Sequence, residues 1–284
     1  MKVLLIMLSM LNRFTCSEKQ LPKMISKLKK RKFLPILDYT NENFKNHNFN
    51  FKKIENLIRT NPQNNIAIKM SSLNINENYE QSEEYLHKLI TLAIKNDSTI
   101  MIDAENFKIQ DKINIITNKY MSIFNKDDIY IYKTYQMYRK DTFNLLQNDF
   151  LKDRDYNIGC KLVRGAYYNE DYRYNILLDD INKTHLNYNK SINFFTNYAN
   201  QKDKLICATH NEYSINYAIS KIEENNIKNI AFAQLLGMSD NLSTELAKKY
   251  IVYKYLPFGN FKDTLPYLGR RLYENYPMIL NFFR

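Results

Sequence analysis

The densest group of residues that could carry out chemistry lies in the segment FKDTLPYLGRRLYEN, residues 261–275. Asp263 or Thr264 is a plausible helix N-cap and Pro266 suits a first helical turn, so we expect a helix here. Four of its side chains are spaced i, i+3, i+4 and i+7 and share one helix face: Tyr267, Arg270, Arg271 and Glu274. Adjacent guanidinium groups on such a face can bind a carboxylate or a phosphate through paired hydrogen bonds. A solvated face with an internal Arg–Glu pair fits the segment alone slightly better, so other motifs must decide.

A second group of polar residues lies where short apolar runs end. Its members are Lys69, Asp103, Glu105, Gln136, Lys161, Arg164, Thr209, His210, Asn211 and Tyr255. One polar residue in such a place is usually a solvated strand end or a helix cap. The joint placement of so many favours a shared site.

His210 lies between Thr209 and Asn211, directly after an apolar run. A zinc site would need further ligands, and no other histidine stands at a ligand spacing, so we expect no metal. A hydrogen-bond donor to a cofactor and a structural histidine are comparable interpretations, and the two polar neighbours favour the donor. Cys160 and Cys207 have no neighbouring base and are predicted to be small buried hydrophobes.

Four of the five glycines fall in these same segments, at Gly165, Gly237, Gly259 and Gly269. Glycine is used where the backbone approaches a neighbour closely or adopts a positive φ. Ordinary turn chemistry accounts well for Gly259, and less easily for Gly165, which is followed by an alanine and two tyrosines.

The elements that must position these residues are eight short apolar or β-branched runs, each followed by a stretch of helical character. They occupy residues 33–38, 66–69, 99–103, 129–133, 158–163, 205–209, 230–234 and 251–255. Their centres are about 31 residues apart, the length of one βα unit. A doubly wound open sheet also alternates strands and helices, but it usually carries a glycine-rich phosphate turn, which is absent here. The pattern therefore predicts a closed (β/α)8 barrel of the TIM type, whose active site would lie at the carboxyl ends of the strands.

Composition limits the class of protein. The 284 residues suit one large domain, and a hydrophobic fraction of 44% with 25% charged residues excludes wholesale disorder. A net charge of +11 fits nucleic acid, a membrane surface or an anionic small molecule equally well. Three scattered cysteines offer no disulfide framework, which favours a reducing compartment.

The start of the chain is predicted to be a short helical extension, residues 1–32, ahead of a barrel domain at residues 33–284. Residues 1–11 carry one lysine and a short apolar run without a typical cleavage site, so an edge helix is preferred to a signal peptide. The basic run at residues 27–32 is expected to be a solvated helix face, with anionic lipid as the less common alternative.

Taken in order, the motifs resemble one family, the proline dehydrogenases, which are flavin-dependent barrels. The resemblance covers about residues 33 to 276 and rests on these segments: ILDYTNEN, IKMSSL, MIDAENFKIQ, TYQMYRK, KLVRGAYYNE, ATHN, AQLLGM, YLPFG and YLGRRLYEN. KLVRGAY and YLxRRxxEN are specific individually, whereas ATHN alone would be weak. Ser71 and Ser72 replace the family's usual Thr-Ala, and the chain is shortened before residue 36 and between residues 169 and 184.

The resemblance implies oxidation of L-proline to Δ1-pyrroline-5-carboxylate, with hydride passing to N5 of FAD and electrons then passing to a membrane quinone. It implies that Arg270 and Arg271 hold the substrate carboxylate, assisted by Lys69, and that Asp103 is the buried acid orienting this shell. Tyr255, Tyr267 and Leu235 would cover the substrate ring, and Glu274 completes the expected catalytic set. The expected FAD contacts are Gln136, Lys161, Val163, Gly165, Ala166, Thr209, His210 and Asn211, with Lys161 near flavin N5.

Two other functions are weighed against this one. A related flavin barrel could act on hydroxyproline or a folate, although Tyr255 looks more like the proline-type covering residue. A catalytically silent basic barrel could bind nucleic acid or an anionic membrane, but every expected ligand position holds a competent residue type. We therefore expect no nucleic-acid partner. The resemblance points to mitochondria or, for a bacterial source, to the cytoplasmic side of the membrane, with peripheral membrane association.

Overall fold

A computed structural model describes residues 13–41, 46–260, 264 and 269, and these form a closed barrel of eight parallel strands. Each strand pairs with the next along the chain, and β8 closes the barrel by pairing with β1. The strands are β1 (Phe33–Tyr39), β2 (Asn65–Ile68), β3 (Thr99–Ile102), β4 (Ile131–Gln136), β5 (Gly159–Val163), β6 (Lys204–Ala208), β7 (Ile230–Leu235) and β8 (Val252–Phe258). The predicted (β/α)8 fold is confirmed.

Helices surround the barrel. They are α1 (Leu21–Lys30), α2 (His47–Thr60), α3 (Tyr79–Lys95), α4 (Phe107–Phe124), α5 (Thr142–Leu151), α6 (Tyr168–Asp171), α7 (Ile181–Tyr198), α8 (Glu212–Asn225) and α9 (Asp240–Leu246). Several begin at an asparagine whose side-chain oxygen accepts a bond from a first-turn amide: Asn46, Asn78, Asn106 and Asn211. The asparagine-rich composition thus supplies helix caps.

The predicted strand positions are close, with the largest shifts at β4 and β8. The fourth strand ends three residues later than predicted, and the eighth spans residues 252–258 instead of 251–255. Strand length is decided by the partner: β8 pairs with β1 over seven residues, from Phe33 opposite Val252 to Tyr39 opposite Phe258. Such pairing cannot be read from one apolar run.

The two faces of each strand serve different cores. Inward side chains fill the barrel interior with a small cluster that includes Ile36, Ala67, Met101 and Tyr132. Outward side chains join a much larger core beneath the helices. Side chains two residues apart on a strand point to the same face. The inward-facing positions at the carboxyl ends of the strands therefore include residues that were predicted to do chemistry.

The helical extension lies on the outside of the barrel. Helix α1 buries Leu21, Ile25 and Leu28, and the segment before it is fixed where the Thr15 hydroxyl donates to the Pro257 carbonyl at 2.7 Å. The division of the chain at residue 32 stays a prediction, and residues 1–12 lie outside the described part. None of the described helices is long and apolar enough to cross a bilayer.

The remaining glycine, Gly159 at the start of β5, has a steric reason. A Cβ atom there would lie 2.5 Å from the Ile131 carbonyl oxygen and 2.7 Å from Ile129 Cγ2. A side chain would therefore push β5 away from β4.

We expect Gly159→Ala to lower the free energy of unfolding by roughly 1–3 kcal/mol, because overpacking forces the backbone to shift. Urea unfolding measures the change. Ser26→Ala on the exposed face of α1 is the control and should stay within about 0.5 kcal/mol of the parent. An unchanged urea midpoint for Gly159→Ala would contradict the packing.

Candidate active site

A cavity of about 370 Å³ opens at the carboxyl ends of the strands. Its volume lies in the range of small-molecule sites. Predicted site residues that line it are Lys69, Asp103, Gln136, Lys161, Val163, Gly165, Ala166, Thr209, His210, Leu235 and Tyr255. Asn211 does not line it and instead caps α8 by accepting from the Ser214 amide at 2.9 Å. Tyr267, Arg270, Arg271 and Glu274 lie outside the described residues.

Asp103 is the centre of a charged cluster in this cavity. Lys161 Nζ lies 2.5 Å from Asp103 Oδ1, and the Tyr255 hydroxyl donates to Oδ2 at 2.7 Å. Lys69 Nζ lies 4.0 Å from the same Oδ2 and 3.4 Å from the Tyr255 hydroxyl. Lys161 and Tyr255 lie in β5 and β8, while Lys69 and Asp103 directly follow β2 and β3, so the closed barrel brings together side chains that are distant in sequence.

The environment of Asp103 keeps its carboxyl group ionised. Burial by itself would raise the pKa of Asp103, but the charges of Lys161 and Lys69 and the hydrogen bonds from Lys161 and Tyr255 outweigh it and hold the pKa below its usual range. A carboxylate therefore stands in the cavity at neutral pH with two ammonium groups around it.

Asp38 is a site residue that sequence reasoning missed. Its Oδ1 accepts from Lys69 Nζ at 2.6 Å, a shorter contact than Lys69 makes with Asp103. The only available signal was its inward position in ILDYT, two residues after Ile36, which the alternation of β1 could have identified.

Arg164 was placed at a strand end by the sequence but received no role. Its guanidinium donates to three neutral groups: His185 Nδ1 at 2.9 Å, Thr209 Oγ1 at 2.5 Å and Ser214 Oγ at 2.9 Å. Burial lowers its pKa, and no carboxylate within the described residues pairs with it. A half-buried cation without a carboxylate partner at the cavity wall is suited to an anionic ligand.

The backbone at Gly165 explains why glycine stands there. Its φ is +139°, and a Cβ atom would lie 2.4 Å from the ring of Tyr138. The next residue, Ala166, donates its amide to Gln136 Oε1 at 3.4 Å, while Gln136 Nε2 donates to the Glu105 carbonyl at 2.8 Å. This wall of the cavity is therefore built from close backbone contacts.

Glu105 stands just behind the cavity and supports it. It accepts from the Ser71 amide at 2.9 Å and also from the Ser71 hydroxyl. Burial is the main cause that raises the pKa of Glu105, and the bonds from Ser71 oppose it. The contact fixes the turn that directly follows Lys69, so the serine that replaces the family's usual threonine has a defined partner.

His210 uses both ring nitrogens within the protein. Nε2 accepts from the Leu235 amide at 3.3 Å, so Nδ1 carries the proton and donates to Ser239 Oγ at 3.1 Å. Burial and, after it, the charges of Lys254 and Arg164 lower the pKa of His210 to about 4. The imidazole is therefore neutral and connects the last residue of β7 to the N-cap residue of α9. Its expected role as a donor to a cofactor stays a prediction, and it would require one of these bonds to change.

Cys160 and Cys207 are buried, as expected, and Cys16 is buried as well. Burial raises the pKa of Cys16 and of Cys207 to about 12 and also raises that of Cys160, so none is a thiolate at neutral pH. Within the described ranges no three His, Cys, Asp or Glu side chains are placed to share a metal ion.

A parallel barrel with a charged cavity at the carboxyl ends of its strands defines the architecture of the TIM-barrel enzymes. The family model described as proline dehydrogenase matches residues 21–279. The chain belongs to the proline dehydrogenase family.

Individual relatives agree with this assignment. Mitochondrial proline dehydrogenase 1 of Dictyostelium discoideum is 35% identical over 67% of this chain and 36% of its own length. Hydroxyproline dehydrogenase of Xenopus laevis is 33% identical over 70% of this chain and 47% of its own length. The chain thus spans between about a third and a half of these relatives.

Solved structures share the fold. Proline utilization A of Bdellovibrio bacteriovorus superposes with a TM-score of 0.86 at 18% identity, over 94% of this chain and 33% of that protein. The protein of the same name from Corynebacterium freiburgense gives a TM-score of 0.85 at 21% identity, over 95% of this chain and 31% of that protein.

We expect Asp103→Asn to lower the free energy of unfolding by roughly 3 kcal/mol, because Lys161, whose side chain is 4% exposed, would lose its carboxylate partner. Asp155→Asn is the matched control, because Asp155 pairs with Lys126 at 2.7 Å while its side chain is 82% exposed. That variant should stay within about 1 kcal/mol of the parent. Equal losses for the two variants in urea unfolding would contradict the central role of Asp103.

We also expect His210 to make the fold sensitive to acid. The unfolded chain protonates His210 below its ordinary pKa of 6.5, whereas the native protein does not until about 4. Stability contributed by the neutral ring is therefore present above pH 6.5 and is lost as the pH falls toward 4.

His210→Gln should consequently lose less stability than the parent between about pH 7 and about pH 4.5, by on the order of 2 kcal/mol in urea unfolding. Ser26→Ala, at an exposed position of α1, removes no titratable group and should keep the parent's pH dependence. Identical pH dependence in parent and His210→Gln would show that the ring is not held neutral.

Proposed function

We propose that this chain is an FAD-dependent proline dehydrogenase, which oxidises L-proline to Δ1-pyrroline-5-carboxylate. The observation that carries the proposal is the cluster of Asp103, Lys161, Lys69 and Tyr255 in the cavity of a barrel of this family. The reaction removes a hydride from the ring carbon next to nitrogen and a proton from nitrogen, and a C=N bond forms.

The carboxylate of proline would bind to the cationic side of the cavity. Lys69 lies there beside Tyr255, and Arg270 and Arg271 are the further carboxylate ligands that the helix face predicts. Tyr255, Leu235 and Tyr267 would cover the ring. A carboxylate held by several cations orients the ring carbon, and such fixed orientation lowers the barrier to reaction.

The residues of the cavity fit FAD. Arg164, which pairs with no carboxylate among the described residues, offers a cation to a phosphate group. The proposed contacts that line the cavity are Gln136, Lys161, Val163, Gly165, Ala166, Thr209 and His210, and Arg164 is added to them. Asn211, whose side chain caps α8 outside the cavity lining, stays a prediction from the resemblance. FAD, when bound, supplies the hydride acceptor.

We propose Lys161 as the positive charge near the flavin. Its side chain is 4% exposed and is held by Asp103, so a positive charge is fixed in the cavity. Such a charge stabilises a reduced, anionic isoalloxazine. Asp103 therefore serves two sides of the site, since it orders Lys161 toward the cofactor and Tyr255 toward the substrate.

A second candidate substrate is hydroxyproline, which is favoured by the similarity to the Xenopus enzyme of that name. We further propose mitochondrial location, because several relatives are named mitochondrial, and transfer of electrons to a quinone at a membrane surface. The filled ligand positions disfavour a catalytically silent barrel that binds anionic surfaces.

The test is the absorbance spectrum of the purified protein supplied with FAD, followed by L-proline without oxygen. We expect flavin bands that bleach with L-proline, because the flavin takes up the hydride. Flavin that stays oxidised with L-proline but bleaches with hydroxyproline would reassign the substrate. A folded protein that retains no flavin would refute the proposed function.

A further inference from the structure

The carboxylate of Asp38 differs from the other buried carboxylates of the barrel. Asp38 is 1% exposed, and its Oδ1 accepts from Lys69 Nζ at 2.6 Å. Its Oδ2 is also buried but accepts no hydrogen bond within the described residues. A buried carboxylate oxygen without a donor is costly, so its presence calls for an explanation other than stability.

Two other buried aspartates show what a structural pair looks like in this protein. Asp203 accepts two bonds from Arg154 and one each from the amides of Ile158 and Asn200. Asp149 uses both of its oxygens, and it accepts from Lys133 at 2.6 Å, from Tyr135 and from Asn118. Their partners Lys133 and Arg154 do not line the cavity. Asp38, by contrast, is bonded through one oxygen only, and its partner lines the cavity.

Lys69 stands between two carboxylates with unequal distances. It bonds to Asp38 and lies 4.0 Å from Asp103 Oδ2, the oxygen that accepts from the Tyr255 hydroxyl. If the charge of Asp38 were removed, the nearest remaining carboxylate oxygen among the described residues would be this same Oδ2. The ammonium would then compete with the Tyr255 hydroxyl and be drawn away from its place at the cavity wall.

We infer that Asp38 is a positioning residue that holds Lys69 for the carboxylate of the substrate. Asp38 keeps the ammonium off Asp103, so that Asp103 remains the acceptor of Lys161 and Tyr255. The two negative charges of Asp38 and Asp103 balance the two positive charges of Lys69 and Lys161. The substrate carboxylate would bind beside Lys69, which lies farther from Asp103 than Lys161 does. This inference rests on the proposed function for the identity of the substrate.

The test uses ligands that differ in charge. Cyclopentanecarboxylate has the ring and carboxylate of proline but no amine to oxidise, and cyclopentylmethanol lacks the charge. Their dissociation constants are measured by calorimetry on FAD-supplied protein. We expect Asp38→Asn to raise the dissociation constant of cyclopentanecarboxylate about 10-fold, because a charge-assisted bond is lost. The dissociation constant of cyclopentylmethanol should change less than about 2-fold. The KM for L-proline should rise by a similar factor, with kcat changed less than about 3-fold.

The effect must act through Lys69. When Asp38→Asn is added to Lys69→Met, the affinity for cyclopentanecarboxylate should stay within about 2-fold of that of Lys69→Met alone, because the lysine that Asp38 positions is gone. This double variant removes both charges together, so it also reports if Asp38→Asn alone does not fold. Asp149→Asn, which breaks an equally short buried Lys–Asp pair on the outer face of β4, is the matched control and should leave carboxylate affinity unchanged.

Equal weakening of both ligands, additive effects of Asp38→Asn and Lys69→Met, or an unchanged carboxylate affinity in Asp38→Asn would each overturn the inference. The proposed function is read separately, from bleaching of the flavin by L-proline in the parent protein. Calorimetry needs no turnover, so a protein that does not oxidise L-proline still reports whether Asp38 acts through Lys69.

Discussion

The buried charge of Asp103 is the constraint on which the site depends. A carboxylate inside a barrel must be compensated, and here the compensation comes from Lys161 on β5, Tyr255 on β8 and the more distant Lys69 after β2. Each of these groups is thereby fixed in the cavity wall. The same carboxylate binds Lys161 on the side proposed for the flavin and Tyr255 on the side proposed for the substrate. The positions of these two side chains relative to each other therefore depend on Asp103.

The barrel makes this compensation possible because its strands have two faces. Inward positions hold a small apolar cluster at mid-barrel and charged groups at the carboxyl ends, whereas outward positions join the helices. Polar groups on the outward face are used differently. Lys133 with Asp149, and Lys254 with Asp240 and the Met238 carbonyl, fasten helices and loops to the barrel. The buried ammonium groups of Lys133 and Lys254 bind these partners and do not line the cavity.

The loops after the strands complete the site by contacts among themselves. Arg164 reaches Thr209 and Ser214, His210 reaches Leu235 and Ser239, and Glu105 reaches Ser71. Each contact joins segments at the carboxyl ends of two different strands. The barrel by itself carries the described cavity, although the chain spans only between about a third and a half of the curated relatives described above.

The sequence by itself determined the eight strands, the barrel and the family. The recurrence of short apolar runs and the order of the motifs can both be read directly along the chain. The sequence also determined that Lys69, Asp103, Lys161 and Tyr255 would lie close together, since the carboxyl ends of all strands in such a barrel face the same end. Only the tertiary structure decided which charge pairs with which. Asp38 and Lys69 are 31 residues apart, and the partners of Arg164 and His210 lie on other strands and loops. Those pairings follow from strand register and loop path, which no short stretch of sequence contains.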